Sequence, residues 1–128
     1  MTLHAYESVR KASLIEGATP HKLIELLYDG ALSNIAVARQ FLVQGNRNGV
    51  HIHVDKTMAI VHELQSSLKD YETNELSGNL FELYTYIVNT LISSEQQMDD
   101  EGFGVCAHLL DVLRDAWKSI APENAVAA

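Results

Sequence analysis

Apolar residues recur at Ile24, Leu27, Ala31, Ile35, Ala38 and Leu42, in steps of three and four that place them on one face of a helix. A second run, Val54, Thr57, Val61, Leu64, Leu68 and Tyr71, alternates steps of three and four strictly, the spacing of helices packed in bundles. A third run, Leu76, Leu80, Leu83, Ile87, Leu91 and Met98, continues the pattern. The last run is wider. It carries one row of Val105, Leu109, Val112, Ala116 and Ile120 beside another of Cys106, Leu110, Leu113 and Trp117. These patterns predict helices over about 20–44, 49–71, 75–98 and 104–120. Thr19 suits an N-cap, Pro20 the first helical position and Gly45 a stop. A shorter segment, about 3–14, has Leu3, Tyr6 and Val9 on its apolar face; it is too short to be stable unless it docks.

Connections of a few residues force consecutive helices to run antiparallel. The predicted fold is therefore all-α: an antiparallel up-down four-helix bundle with an extra N-terminal helical segment packed outside. One domain over 1–128 is expected, with 1–18 as the N-terminal cap segment, 19–120 as the bundle and 121–128 as a flexible tail.

Two features exceed what a bundle needs. Gly30 interrupts the first long helix within Leu26-Leu27-Tyr28-Asp29-Gly30-Ala31, where glycine costs about 1 kcal/mol relative to alanine. A neighbouring backbone or a partner chain packed against it would compensate. Apolar surface is also in surplus: both rows of the last helix, Leu26, Val37 and Phe41 on the first long one, and Phe81, Tyr84, Val88 and Ile92 on the third. Taken together, these faces suggest a groove for an amphipathic partner helix. Tyr6, Tyr28, Tyr84, Tyr86 and Trp117 are of the types that dominate binding hot spots, and equally of the types that fill bundle cores.

Composition narrows the function. The formal net charge is −8 and the 9 basic residues form no stripe, so neither nucleic acid nor an anionic membrane surface is an expected partner. No apolar run reaches the roughly 18 residues of a membrane span, and the first residues lack the basic start and apolar core of a signal peptide, so a cytoplasmic protein is expected. The single cysteine, Cys106, excludes an internal disulfide and lies in an apolar stretch, as a buried inert thiol would. His51 and His53 are two residues apart and diverge on a helix. His62-Glu63 would begin a zinc protease motif, but Ser66 stands where its second histidine belongs. No Glu-x-x-His pair, glycine-rich phosphate loop or nucleophile elbow is present. Neither metal nor cofactor nor enzymatic activity is expected.

Thr19-Pro20-His21-Lys22-Leu23-Ile24-Glu25-Leu26-Leu27-Tyr28-Asp29-Gly30-Ala31 resembles the signature of the FliS family, flagellar export chaperones of flagellin. Further pieces agree in order: Ala5-Tyr6, then Asn79-Leu80, Leu83-Tyr84 and Tyr86-Ile87, then Leu109-Leu110, Leu113-Arg114 and Ala116-Trp117. The resemblance spans about residues 5–120. It implies a helical bundle that binds the C-terminal region of flagellin, prevents premature polymerisation and assists export, with export-gate or regulatory proteins as further partners. It also implies that the N-terminal segment can lie in a pocket the partner later occupies. The candidate partner-binding residues are Tyr6, Val9, Leu26, Leu27, Tyr28, Gly30, Leu83, Tyr84, Leu110 and Trp117. The chain departs from the family at Asn89 and Thr90, where many members carry arginines, and in the acidic run Ser93 to Asp100. Gly102 and Gly104 around Phe103 suggest a loose final connection. The alternatives are a histidine phosphotransfer bundle acting through His62, with Gln65 in place of the lysine those domains carry, or an unrelated helical adaptor.

Overall fold

Four helices follow one another in the computed structural model, which describes residues 19–120: α1 (Pro20–Val43), α2 (Arg47–Ser66), α3 (Glu75–Gln97) and α4 (Asp100–Lys118). The N-terminal segment, with Tyr6 and Val9, and the tail 121–128 lie outside the described residues.

Each junction is written in side chains that compete for the ends of helices. Thr19 Oγ1 accepts from the Lys22 N–H (3.1 Å) and Pro20 occupies the first turn, so α1 starts as predicted. At its other end Gly45 turns left-handed (φ 71°). The Asn46 N–H then reaches Phe41 O (2.9 Å) and the Gly45 N–H reaches Leu42 O (3.0 Å), the paired bonds of a Schellman stop. Asn46 immediately caps α2 by accepting from the Gly49 N–H (2.9 Å). Gly49 is buried, and a Cβ there would run into the Phe41 ring, so glycine lets the α1–α2 corner close.

α2 stops at Ser66, five residues before the predicted end. Ser66 Oγ donates to His62 O (2.9 Å) and Ser67 Oγ to Leu64 O (2.7 Å), local bonds that compete with continued helix. Asp70 then adopts a left-handed conformation (φ 56°). Leu68 still reaches the core, whereas Tyr71 is exposed and folds back to stack on Phe81, ring centroids 4.3 Å apart. α4 begins four residues earlier than predicted, and the loose connection expected around Gly102 and Gly104 is helix instead. Asp99 caps it, Asp100 and Glu101 favour its positive end, and Phe103 is fully buried.

Polar ties across the helices fix the topology. Gln65 near the end of α2 donates to Phe81 O near the start of α3 (2.9 Å). Arg39 late in α1 holds Asp100 at the start of α4 through two bonds of 2.8 Å. His21 and Trp117, from opposite ends of their helices, exchange bonds: the His21 Nε2–H donates to Trp117 O (3.0 Å) and the Trp117 indole N–H to His21 O (2.8 Å). Neighbours therefore run antiparallel in the order α1, α2, α3, α4 and back to α1, an up-down four-helix bundle. Tyr28 and Tyr84 meet across the diagonal, hydroxyls 2.5 Å apart, at the same level of α1 and α3.

The core takes Leu27, Ala31, Ile35 and Ala38 from α1 and Val54, Thr57, Val61 and Leu64 from α2, as the periodicity predicts. In α3 the row is rotated. Tyr84 and Val88 are buried alongside Ile87 and Leu91, while Leu76 is exposed.

Candidate partner-binding groove

Where the two apolar rows of α4 go decides the surface. Cys106, Leu110 and Trp117 turn into the core, with Phe103. Val105 (38 % exposed) and Val112 (51 %) turn outward, Ala116 is exposed beside them, and Leu109 is half-buried between. On α3 the matching outward residues are Leu76 (53 % exposed) and Tyr86 (51 %), with Leu83 half-buried. α3 and α4 run side by side with Gly102 against Thr90 and Ser94, and the Cys106 thiol donating to Ile87 O (3.5 Å). That register sets Tyr86 near the level of Val105, Leu83 near Leu109 and Leu76 near Ala116, with Val112 between the last two levels. An apolar strip therefore runs along the outside of the α3–α4 hairpin. Its upper end is a concavity lined by Tyr86, Asn89, Thr90, Ser93, Gln97, Gly102 and Val105.

The candidate residues divide between this surface and the core. Leu83 lies in the groove. Leu27 and Tyr28 of α1, Tyr84 of α3 and Leu110 and Trp117 of α4 are buried in the core. Leu26 and Gly30 are half-buried on α1. Gly30 O accepts from Asn34 Nδ2 (2.9 Å), and Asn34 Oδ1 accepts from His53 Nδ1 on α2 (2.9 Å), so the unusual glycine sits at the head of an α1–α2 tie. Leu76, Tyr86, Val105 and Val112, which complete the exposed strip, are not among the candidate partner-binding residues read from the sequence. The signal was present: a second apolar row beyond what the core requires.

Several titratable groups serve the packing of the helices. Burial pushes the Cys106 thiol up to about 12, so it stays protonated. Tyr84 and Tyr28 are raised above the usual phenol value, chiefly by burial. His51 Nδ1 donates to Glu95 (2.8 Å) and its Nε2 faces Asp55 (3.3 Å), and these carboxylates raise its pKa. His51, Asp55 and Glu95 bring three metal-ligand types together, with ligand atoms within 4.8 Å of one another. Both imidazole nitrogens already face carboxylates there, which makes the cluster a clasp between α2 and α3. His62 is exposed, but Gln65, at the lysine position of a phosphotransfer site, is turned onto Phe81 O and Thr85 Oγ1 of α3. No described helix is long and apolar enough to cross a membrane.

The described residues form a cross-tied helical bundle with an apolar strip exposed along its α3–α4 hairpin. The sequence comparisons place such a bundle in a family. A model of the FliS family, described as flagellar protein FliS, matches residues 2–124. The flagellar secretion chaperone FliS of Salmonella typhimurium is 34 % identical over 122 residues, covering 94 % of this chain and 90 % of that protein. The flagellar secretion chaperone FliS of Escherichia coli is 30 % identical over 115 residues, covering 89 % and 85 %. That of Vibrio cholerae is 26 % identical over 122 residues, covering 95 % and 90 %. The chain belongs to the FliS family of flagellar secretion chaperones.

Proposed function

We propose that this chain acts in the cytosol by binding the C-terminal region of flagellin, keeping it from polymerising and presenting it for export. The observation that carries this reading is the apolar strip of Leu76, Leu83, Tyr86, Val105, Leu109 and Val112 outside a bundle whose core is already complete. An unfolded flagellin end that forms an amphipathic helix would cover the strip with its own apolar face. Polymerisation then stops by mass action, because the face used between flagellin copies is occupied. Coupled folding and binding buries on the order of 1,000–3,000 Å², and ordering the chain takes back several kcal/mol, so the complex is tight yet releasable. No nucleotide or metal enters this scheme. Export-gate or regulatory proteins would meet the loaded complex.

The N-terminal segment has a place in the proposal as a lid. Tyr6 and Val9 would cover apolar surface in the free protein and move aside on binding, with Leu26, Leu27, Tyr28, Gly30, Tyr84, Leu110 and Trp117 shaping the surface beneath. Deleting residues 1–15 should then change flagellin affinity; unchanged affinity and solubility would remove the lid.

Titration calorimetry and light scattering on the full chain with the flagellin C-terminal region test the main reading. A one-to-one complex with a large negative heat-capacity change is expected. No binding at tens of micromolar overturns it.

A further inference from the structure

We infer that the α3–α4 groove selects, by charge, an amphipathic helix whose apolar stripe is flanked by lysine or arginine; this rests on the groove being the docking site proposed above. α3 contains no lysine or arginine at all. Of the two cations of α4, Arg114 is held on the α1 side by Asp29 (3.0 Å) and Asp111 (2.5 Å), and Lys118 lies exposed in the last turn. Arg39, the α1 cation nearest the start of α4, is held by Asp100.

Carboxylates are left on the outer face. Glu82 lies four residues before Tyr86 and next to Leu83, Glu101 four before Val105, and Asp115 three after Val112, so each borders the strip at helical spacing. All three are exposed. Asp99 and Glu101 line the concavity that holds Tyr86 and Val105. None of Glu82, Glu101 and Asp115 has a cation within ion-pair distance among the described residues. An apolar floor whose rim carries these carboxylates, with the exposed His108 between Glu101 and Asp115 and no ion-pairing cation among the described residues, attracts a helix with basic flanks and repels one with acidic flanks. The rim acts on discrimination and encounter rate more than on the affinity that the floor supplies.

The test uses two capped synthetic helical peptides with the same apolar stripe, one flanked by lysines and the other by glutamates. Each is titrated into the full chain, into the triple variant Glu82→Gln, Glu101→Gln, Asp115→Asn, and into Val112→Asp. All variants are checked for helicity and melting. Three exposed pairs together give about a tenfold preference for the lysine peptide at low salt. The preference should fade in 1 M NaCl, where the screening length falls to about 3 Å, and in the triple variant. Equal binding of the two peptides, or a preference that survives neutralising the rim, overturns the charge selection and leaves the groove standing. If both peptides and the flagellin C-terminal region bind Val112→Asp as tightly as the unmodified chain, the groove itself is the wrong site and the inference falls with it.

Discussion

Val112 is where groove and fold are most cleanly separable. Its side chain is 51 % exposed on α4, with the neighbouring row already in the core. Full burial of such a side chain is worth about 1.5–3 kcal/mol, so a partner covering the remaining half gains about 1 kcal/mol from it. Val112→Ala should therefore weaken flagellin binding by up to about fivefold, since tenfold corresponds to about 1.4 kcal/mol. Val112→Asp adds a carboxylate that the partner's apolar face must strip of water, a cost of several kcal/mol that brings the loss to a hundredfold or more. Folding stability should move by no more than about 0.5 kcal/mol in either variant, because the site is an outward helical position. The control is Val43→Asp, at the end of α1, where valine is 90 % exposed and far in sequence from the strip. Calorimetric affinities and urea melts on the three variants decide the matter. Binding to Val112→Asp at the unmodified level, with Val43→Asp impaired instead, would refute the groove.

Tyr84→Phe leaves the Tyr28 hydroxyl buried without that partner and should cost about 1–3 kcal/mol in a urea melt, with the Tyr28→Phe, Tyr84→Phe double variant costing less than the sum of the singles. Additive losses would show that the two hydroxyls are not coupled. Gly102→Ala places a Cβ 2.8 Å from Ser94 Cβ, so α3 and α4 must part; a net loss of about 1–2 kcal/mol is expected despite alanine's better helix propensity, and a gain would mean the helices yield freely. His51 has a raised pKa in the fold because of Glu95 first and Asp55 next. Its stabilisation is fully present below the unfolded pKa of about 6.5 and is lost as pH rises through the raised folded value. His51→Gln should accordingly destabilise at pH 5.5 by no more than the ~1 kcal/mol of an exposed pair and be silent at pH 9.5, and melts that show the reverse order would remove the clasp.

The bundle was legible because its core obeys one periodicity: the α1 and α2 stripes predicted from spacing are the ones that are buried. What spacing alone could not supply was the ends and the rotation. α2 looked longer because Leu68 and Tyr71 keep the pattern, yet the pattern there is met by a loop that folds back over Phe81. α4 looked shorter because two glycines read as breakers, whereas Gly102 is small for the sake of close approach to Ser94. The aromatics were read two ways, as hot spots or as core. Tyr84 and Trp117 are buried in the described bundle, the phenol paired with Tyr28 and the indole N–H with His21 O. Only knowing which row of α4 faces inward separates groove from core, and that depends on long-range packing.

An exposed apolar strip is stable against collapse only if the helices beneath it are held at fixed spacing by something other than the strip. Here the ties lie elsewhere: Arg39 to Asp100 and the His21–Trp117 exchange join α1 to α4, Asn34 to His53 joins α1 to α2, and Gln65 to Phe81 joins α2 to α3. The α3–α4 pair is set instead by close contact at the Gly102 end, beneath the concavity, and by the buried Cys106 against Ile87. Most of these bonds are directional and include side chains from both ends of the bundle, so sliding one helix past another would break several at once. The strip can then stay exposed at the surface of the described helices without their rearranging to bury it.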